Sequence, residues 1–225
     1  SGTLVWARTV LGPGINDDSA EVAVVDDDNN LIVAGSSNPD GENGGFGVAK
    51  LTSAGDTLWS RWRVMPGEAN HAVDVATDTA GDVYVAGNED EDYLLVKYSS
   101  EGYALWRSHL ETSVPDSLAG LVVLPNGESF ITGSTGPNDG RKRLTTIKYS
   151  ASGDSLWAVA WSSPDTLGTW GSTLCRGGAG VAVGGWFYRH PNGARYPYTN
   201  GLLVSFDLSG SEVWSQSVSG PGPDE

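Results

Sequence analysis

The chain has 225 residues, of which 39% are hydrophobic, so it is large and apolar enough to fold around a core. Its net charge of −15 argues against binding to nucleic acid or to an anionic membrane surface. The single cysteine, Cys175, excludes an internal disulfide, and we expect it to be a small core residue. No apolar run is long enough for a transmembrane helix, so no membrane insertion is predicted.

One motif, a glycine followed by three residues and a tryptophan, recurs five times at spacings of about fifty residues. Its copies end at Trp6, Trp59, Trp106, Trp157 and Trp214. Repeats of this length that contain only strands are typical of β-propeller blades. The repeats run approximately over 2–54, 55–101, 102–152 and 153–209, and 210–225 begins a further one.

Each repeat contains four predicted strands, which we name A to D in chain order. Segments such as 31–34 lack polar alternation, as expected for sheets buried on both faces. In the first two repeats the predicted strands cover 21–25, 31–35, 46–51, 57–61, then 72–76, 83–87, 93–98 and 104–108. In the last two they cover 118–124, 129–133, 144–149, 155–160, then 173–176, 181–185, 202–207 and 212–217.

The predicted fold is therefore an all-β propeller segment of four four-stranded antiparallel blades, with one extra N-terminal strand. The tail after Val218 resembles the segment after Val10, which leads into the first strand A. We therefore expect 1–225 to be a single segment of a larger ring of seven or eight blades, with the remainder of that propeller as a partner.

The repeated tryptophans share one position in strand D, which predicts inter-blade packing rather than a sugar-binding platform. The glycine before each marks a turn where positive φ is often needed. Three lysines also share a position, in strand C, and two roles are open. They either form buried pairs near the start of strand A or are solvated edge residues. The lysines are Lys50, Lys97 and Lys148, and the candidate partners are Asp18, Asn70 and Asp116.

Function is expected at one end of the blades. The D–A and B–C loops share that end, and the long B–C loops cover 36–45, 88–92, 134–143 and 186–201. The last is predicted to lack regular structure, and it combines tyrosine, tryptophan and arginine, the residues that dominate binding hot spots. The alternative is a loop that packs its own aromatic residues. The candidate binding residues are Arg141, Arg143, Trp186, Tyr188, Arg189, Arg195, Tyr196 and Tyr198.

No catalytic motif for a serine hydrolase, a phosphate-binding loop or a zinc protease is present. His71, His109 and His190 are far apart and are expected at the surface or at strand ends. The acidic segments 26–30 and 89–92 could hold Ca²⁺, but they lack EF-hand spacing and favour solvated turns. We therefore predict no enzyme and no cofactor.

The repeats resemble the bacterial SBBP or delta-60-like propeller repeats, most fully at 55–59, 72–87 and 96–102. This resemblance implies a secreted or cell-surface bacterial protein, extracellular in location and without assigned catalysis. The glycine–tryptophan element is more distantly similar to the tryptophan-docking motif of quinoprotein propellers. There this chain has lysine where that motif has aspartate, and one cysteine cannot supply the adjacent pair of many quinone-binding dehydrogenases.

These observations favour a non-catalytic scaffold or recognition module that binds a protein or an acidic glycan through its loop-rich face. Two alternatives stay open. One is a carbohydrate-active enzyme, a lyase or hydrolase, built on a propeller. The other is a subunit of an extracellular assembly whose open blade ends pair with other chains.

Overall fold

The computed structural model describes residues 2–9, 18–37, 44–64, 70–112, 114, 116–137, 141–163, 166–178, 180–189 and 198–218. For Val64, Arg189 and Tyr198 only the backbone is described. All regular structure in these ranges is β: sixteen strands form four four-stranded antiparallel sheets. The predicted fold class, with four antiparallel blades, is confirmed.

The strands of each sheet follow one another in chain order, so every neighbouring pair is a hairpin. The first two sheets contain β1 (Asp18–Val25), β2 (Leu31–Ser37), β3 (Gly45–Leu51), β4 (Thr57–Val64), and β5 (His71–Thr77), β6 (Val83–Glu89), β7 (Asp92–Tyr98), β8 (Ala104–Leu110). The last two contain β9 (Asp116–Val123), β10 (Ser129–Thr135), β11 (Arg143–Tyr149), β12 (Ser155–Trp161), and β13 (Thr166–Arg176), β14 (Gly180–Arg189), β15 (Tyr198–Asp207), β16 (Glu212–Val218).

The fourth sheet differs from the prediction because its inner strands are longer. The expected irregular loop over 186–201 is wrong at both ends, since pairing continues from Trp186 opposite Gly201 to Arg189 opposite Tyr198. Aromatic side chains suit a pleated, half-buried surface, which explains why pairing extends here.

The described residues divide into two compact units. The first contains Ser1–Glu111 and Val123–Gly127, and the second contains Thr112–Val122 and Glu128–Glu225. In the first unit, the core lies between the first and second sheets. Its buried members include Ile32, Phe46, Val48 and Trp59 from the first sheet, and Val75, Val85, Leu94 and Tyr98 from the second.

In the second unit, β13 packs on β10 and β11. A Cβ atom at Gly171 would stand 2.8 Å from the Gly133 carbonyl oxygen, so this close approach requires glycine. Trp157 bridges the two sheets, with ring centroids 5.8 Å from Phe130 and 6.4 Å from Phe206.

Trp59 shows in detail how a strand D tryptophan meets the next sheet. Its side chain is 8% exposed, and its indole Nε1 donates to the Ser100 carbonyl oxygen at 2.8 Å. The ring lies on Gly102, where φ is +83° and a Cβ atom would come within 2.6 Å of the indole. Glycine is therefore needed both for the turn and for the ring.

The same contact recurs in both units. Trp157 donates to the Leu208 carbonyl oxygen at 3.0 Å and lies on Gly210, where φ is +87°. Trp6 donates to the Ser53 carbonyl oxygen at 2.9 Å and lies on Gly55, where φ is also +87°. Residues 2–9, which we call the arm, form no strand, so the extra N-terminal element is extended chain docked through Trp6.

Two of the repeated tryptophans differ. Trp106 is half-buried and meets Tyr84 edge-on, with ring centroids 5.8 Å apart. Trp214 is 45% exposed.

Cys175 corrects an expectation, since it is exposed rather than in the core. Cys175 pairs with Ala182 on β14. Gly184 and Trp186 lie two and four residues beyond Ala182 on that strand. Alternate residues of a strand share a face, so Cys175 lies on the side of the sheet that carries Trp186. A strand-forming sequence predicted the strand but not which face of it packs.

Candidate binding surface

We call the end of each sheet that carries the A–B and C–D turns the turn end, and in the first three sheets it holds ion pairs formed by buried lysines. Lys50 lies 2.9 Å from Asp26, and Lys148 lies 3.0 Å from Glu128. Lys97 lies 3.1 Å from Asp78 and 2.9 Å from Asp82. The solvated-edge alternative is wrong, because all three lysines are buried within strand C. The candidate partners Asp18, Asn70 and Asp116 are also wrong, because they lie at the other end of strand A.

The expectation of a solvated acidic turn at 26–30 is wrong for Asp26, which is buried. Burial by itself raises the pKa of this carboxyl. Hydrogen bonds from Lys50 and from the Asn30 backbone and side chain outweigh burial, so the pKa lies below its usual 3.8. The charged carboxylate is therefore part of the fold, and Asp26 is committed to Lys50.

The opposite end of each sheet, the loop end, carries a second ion network in the first unit. Glu89 is buried and accepts hydrogen bonds from Arg63 at 3.1 Å and Arg107 at 2.5 Å. Asp90 and Glu91 form the whole turn, with φ of +51° and +66°. The expected solvated acidic turn is thus wrong for Glu89, which ends β6 and ties β4 to β8.

His109 lies beside this network on β8. Its imidazole nitrogens are 3.6 Å from Glu111, 3.9 Å from Asp92 and 4.0 Å from Glu89. These distances are too long for hydrogen bonds. Across the described residues, no group of three metal-binding side chains is arranged to hold an ion.

A groove of about 420 Å³ opens between β4 and β8 beside this network. Arg61, Arg63 and Arg107 line it, with Tyr98 and Trp106. These arginines are not among the predicted binding residues, because they lie on strands and the predicted binding residues all come from loops. In the third repeat the corresponding positions hold Val159, Trp161 and Ala158, a departure from the repeat that marks these arginines in the sequence.

The loop end of the second unit carries three packed aromatic residues, which we call the aromatic cluster. Trp170 and Trp186 stack in parallel with centroids 4.2 Å apart and planes 5° apart. Tyr188 meets both edge-on at 5.2 Å. All three are half-buried. The two predicted aromatic residues thus pack with a third, Trp170, that lay outside any predicted strand.

The repeat does not require this cluster. Trp186 directly follows the glycine that ends the predicted strand B, and at that position the other repeats have small polar residues. These residues are Ser36, Asn88 and Ser134. A tryptophan pair at this place is therefore a property of the fourth sheet alone.

The basic segment, 141–143, lies against the loop end of the fourth sheet. The Thr169 amide donates to the Lys142 carbonyl oxygen at 2.8 Å, and the Leu144 amide donates to the Thr169 hydroxyl at 3.1 Å. Arg141 and Arg143 are exposed. Trp170 directly follows Thr169 but projects from the opposite face of the sheet, so the segment and the aromatic cluster lie at the same end of the fourth sheet, on its two sides.

Of the remaining predicted binding residues, the structure describes two and leaves two outside the described ranges. Arg189 and Tyr198 stand opposite each other at the ends of β14 and β15, beyond Tyr188. Arg195 and Tyr196, like His190, lie outside the described residues. No helix long and apolar enough to cross a membrane is found among the residues that the structure describes.

Comparisons with known proteins add evidence on the fold alone. No family model matches the chain, and no curated protein matches it. Among solved structures, a protein from Lactobacillus plantarum is 12% identical, with a TM-score of 0.51 over 89% of this chain and 71% of that one.

Two glycosidase structures are also similar. An exo-1,5-α-L-arabinanase from a bovine ruminal metagenomic library is 11% identical, with a TM-score of 0.44 over 88% of this chain and 76% of that one. An α-L-arabinofuranosidase from Clostridium thermocellum is 10% identical, with a TM-score of 0.45 over 88% and 73%. At such identities fold does not carry function.

Proposed function

We propose that this chain is a non-catalytic recognition module of a secreted or cell-surface protein, and that it binds an acidic glycan. The observation that carries the proposal is the aromatic cluster at the loop end of the second unit, the same end that carries the basic segment. The resemblance to SBBP repeats supports the extracellular setting.

The chemistry of the two groups is complementary to such a ligand. Aromatic rings pack against the apolar faces of sugar rings, and tryptophan offers the largest such surface. Guanidinium groups bind carboxylate or sulfate through paired hydrogen bonds. Arg141 and Arg143 supply two exposed guanidinium groups within a chain of net charge −15.

The test is binding to a panel of uronate-containing and sulfated polysaccharides, measured by calorimetry across a salt series. Trp186→Ala should weaken binding at least about tenfold, as expected for a hot-spot aromatic residue. Arg141→Ala/Arg143→Ala should weaken it and flatten its salt dependence.

Two controls match these variants. Arg176→Ala removes an exposed arginine at the turn end of the same sheet, and Trp214→Ala removes an exposed tryptophan of β16. Both should bind as the wild type does. Unchanged binding in Trp186→Ala, or binding only to an acidic protein segment, would contradict an acidic-glycan site at the cluster.

The enzyme alternative is tested by turnover. Buried carboxylates at Asp26, Asp78 and Glu89 already neutralise lysine or arginine side chains, which supports a structural role for them. We expect no hydrolysis or elimination on arabinan, other glycosides, esters or peptides. An activity abolished by a single carboxylate-to-amide substitution would overturn the non-catalytic proposal.

A further inference from the structure

The fourth sheet has an open face, the side that carries Trp186. Trp186 pairs with Gly201 on β15, so Gly201 and the alternate residues Leu203 and Ser205 lie on the same side of the sheet as Trp186. Ser205 pairs with Trp214 on β16, so Trp214 lies on that side too. Leu203 and Trp214 are exposed. Trp214 is 45% exposed, whereas Trp59, at the same place in the repeat, is 8% exposed beneath the next sheet. In the part of the chain that the structure describes, the Trp214 indole donates no hydrogen bond.

The first sheet carries the matching half of this contact. We call the Ser53 carbonyl oxygen and Gly55 the socket, and Trp6 of the arm occupies it. The arm forms no strand, and Leu4 and Val5 are 80% and 87% exposed. A cavity of about 360 Å³ with a largely apolar lining lies between the arm and the first sheet. Its lining includes Trp6, Val33, Gly35, Gly47 and Trp62.

We propose that the open face of the fourth sheet docks on the first sheet of a second copy of this chain, with Trp214 in the socket in place of Trp6. The arm then acts as a plug that keeps the socket filled within its own chain. The proposal extends an interface that the molecule already uses three times, at Trp6, Trp59 and Trp157.

Trp6 and Trp214 compete for the socket, and the residue two positions after each tryptophan affects which of them binds more tightly. Arg8 of the arm donates to Asp56 at 3.0 Å, and Arg61 donates to the Gly102 carbonyl oxygen at 2.6 Å. Gln216 holds this position after Trp214 and offers a neutral donor to Asp56. The arm also has the advantage of a short tether, equivalent to about millimolar concentration. Wild-type chains should therefore associate only at high concentration.

This contact joins two different surfaces, so it is heterologous and each new copy leaves one end free. Association should then produce a series of species that grows with concentration, rather than one dimer. The proposed glycan site lies at the loop end of the same face, four residues along the sheet from Trp214, so a bound acidic polysaccharide should oppose association.

Sedimentation velocity of the full chain tests the proposal. Trp6→Ala should associate at a concentration at least about tenfold lower than the wild type does, and Trp6→Ala/Trp214→Ala should stay monomeric. Leu4→Ala, a substitution on the exposed side of the arm, is the matched control and should behave as the wild type. Equal association of the single and double variants, or a folded Trp6→Ala that is monomeric throughout, would overturn the proposal.

Two further measurements do not depend on the folding of Trp6→Ala. A synthetic peptide with the sequence of residues 2–9 should dissociate the assemblies, and the same peptide with alanine for tryptophan should not. Wild-type association at high concentration should disappear in Trp214→Ala, which should stay folded because the Trp214 side chain is exposed. Persistence of association in Trp214→Ala would contradict the proposed contact.

Discussion

Asp26 and Lys50 form the most buried ion pair among the described residues, and each has the other as its only ion-pair partner there. Removing one member leaves the other charge buried without compensation, so Asp26→Asn should destabilise the protein by about 3–5 kcal/mol near neutral pH. Asp56→Asn is the control, because Asp56 pairs with Arg8 at the exposed surface. Its cost should be below about 1 kcal/mol. Urea unfolding measures both, and equal costs would contradict a structural role for the buried pair.

The lowered pKa of Asp26 gives this pair a defined pH dependence. A carboxyl whose pKa is lower when folded contributes stability above its unfolded pKa of 3.8 and loses it as pH falls through the folded value. The gap between wild type and Asp26→Asn should therefore be constant near neutral pH and shrink below about pH 4. A gap that stays constant down to about pH 2 would contradict this.

Trp59 and Trp214 occupy one repeat position with different burial. Trp59→Ala should cost about 3–5 kcal/mol, as a large-to-small core substitution. Trp214→Ala should cost no more than about 0.5 kcal/mol, as an exposed substitution. Both are measured by denaturant unfolding with dilute protein, where association does not contribute. Similar costs would show that this position is buried alike in the first and fourth sheets.

At the scale of single elements, the C–D turn requires glycine for two reasons, a positive φ and the close approach of a tryptophan ring. Gly102 and Gly81 both have positive φ, +83° and +76°. A Cβ atom at Gly102 would lie 2.6 Å from the Trp59 ring, whereas at Gly81 its nearest contact would be Ser100 at 3.5 Å. Gly81→Ala should cost about 1–2 kcal/mol from backbone strain. Gly102→Ala should cost about 1–3 kcal/mol more, because the ring must move. Equal losses in thermal unfolding would refute the added contribution of the ring.

The strands could be predicted because their signals are local. Apolar runs, turn glycines and the position of each tryptophan recur in every repeat, and the positive φ of Gly55 and Gly102 follows from the turn itself. Predicting the partner of Lys50 requires, in addition, the end of the sheet at which each turn lies. The A–B and C–D turns share an end of the sheet, which places Lys50 beside Asp26 and far from Asp18.

The aromatic cluster could be predicted only in part. Trp186 and Tyr188 are predicted from the composition of their segment, whereas Trp170, between Gly168 and Gly171, precedes the predicted strand 173–176. Gly171 is instead required by the close approach to Gly133. Whether a glycine marks a turn or a close contact depends on the neighbouring sheet, and that information is absent from the local sequence.

At the scale of the whole molecule, charge is the dominant property. A net charge of −15 over 225 residues opposes compact packing through self-repulsion, while the buried ion pairs are shielded from salt. Raising the ionic strength from about 10 mM to about 150 mM shortens the screening length from about 30 Å to about 8 Å. The melting temperature should therefore rise over this range. A fall would mean that exposed ion pairs such as Arg8–Asp56 outweigh the repulsion.

The glycine that receives one tryptophan and the tryptophan that docks onward lie four residues apart, as in Gly55 and Trp59. Each repeat therefore encodes both halves of its junctions within a single short stretch. A gene segment duplicated with this spacing would bring a receiving turn for the sheet before it and a docking side chain for the sheet after it. Such an array can lengthen or shorten during evolution by whole repeats, without compensating substitutions elsewhere in the chain.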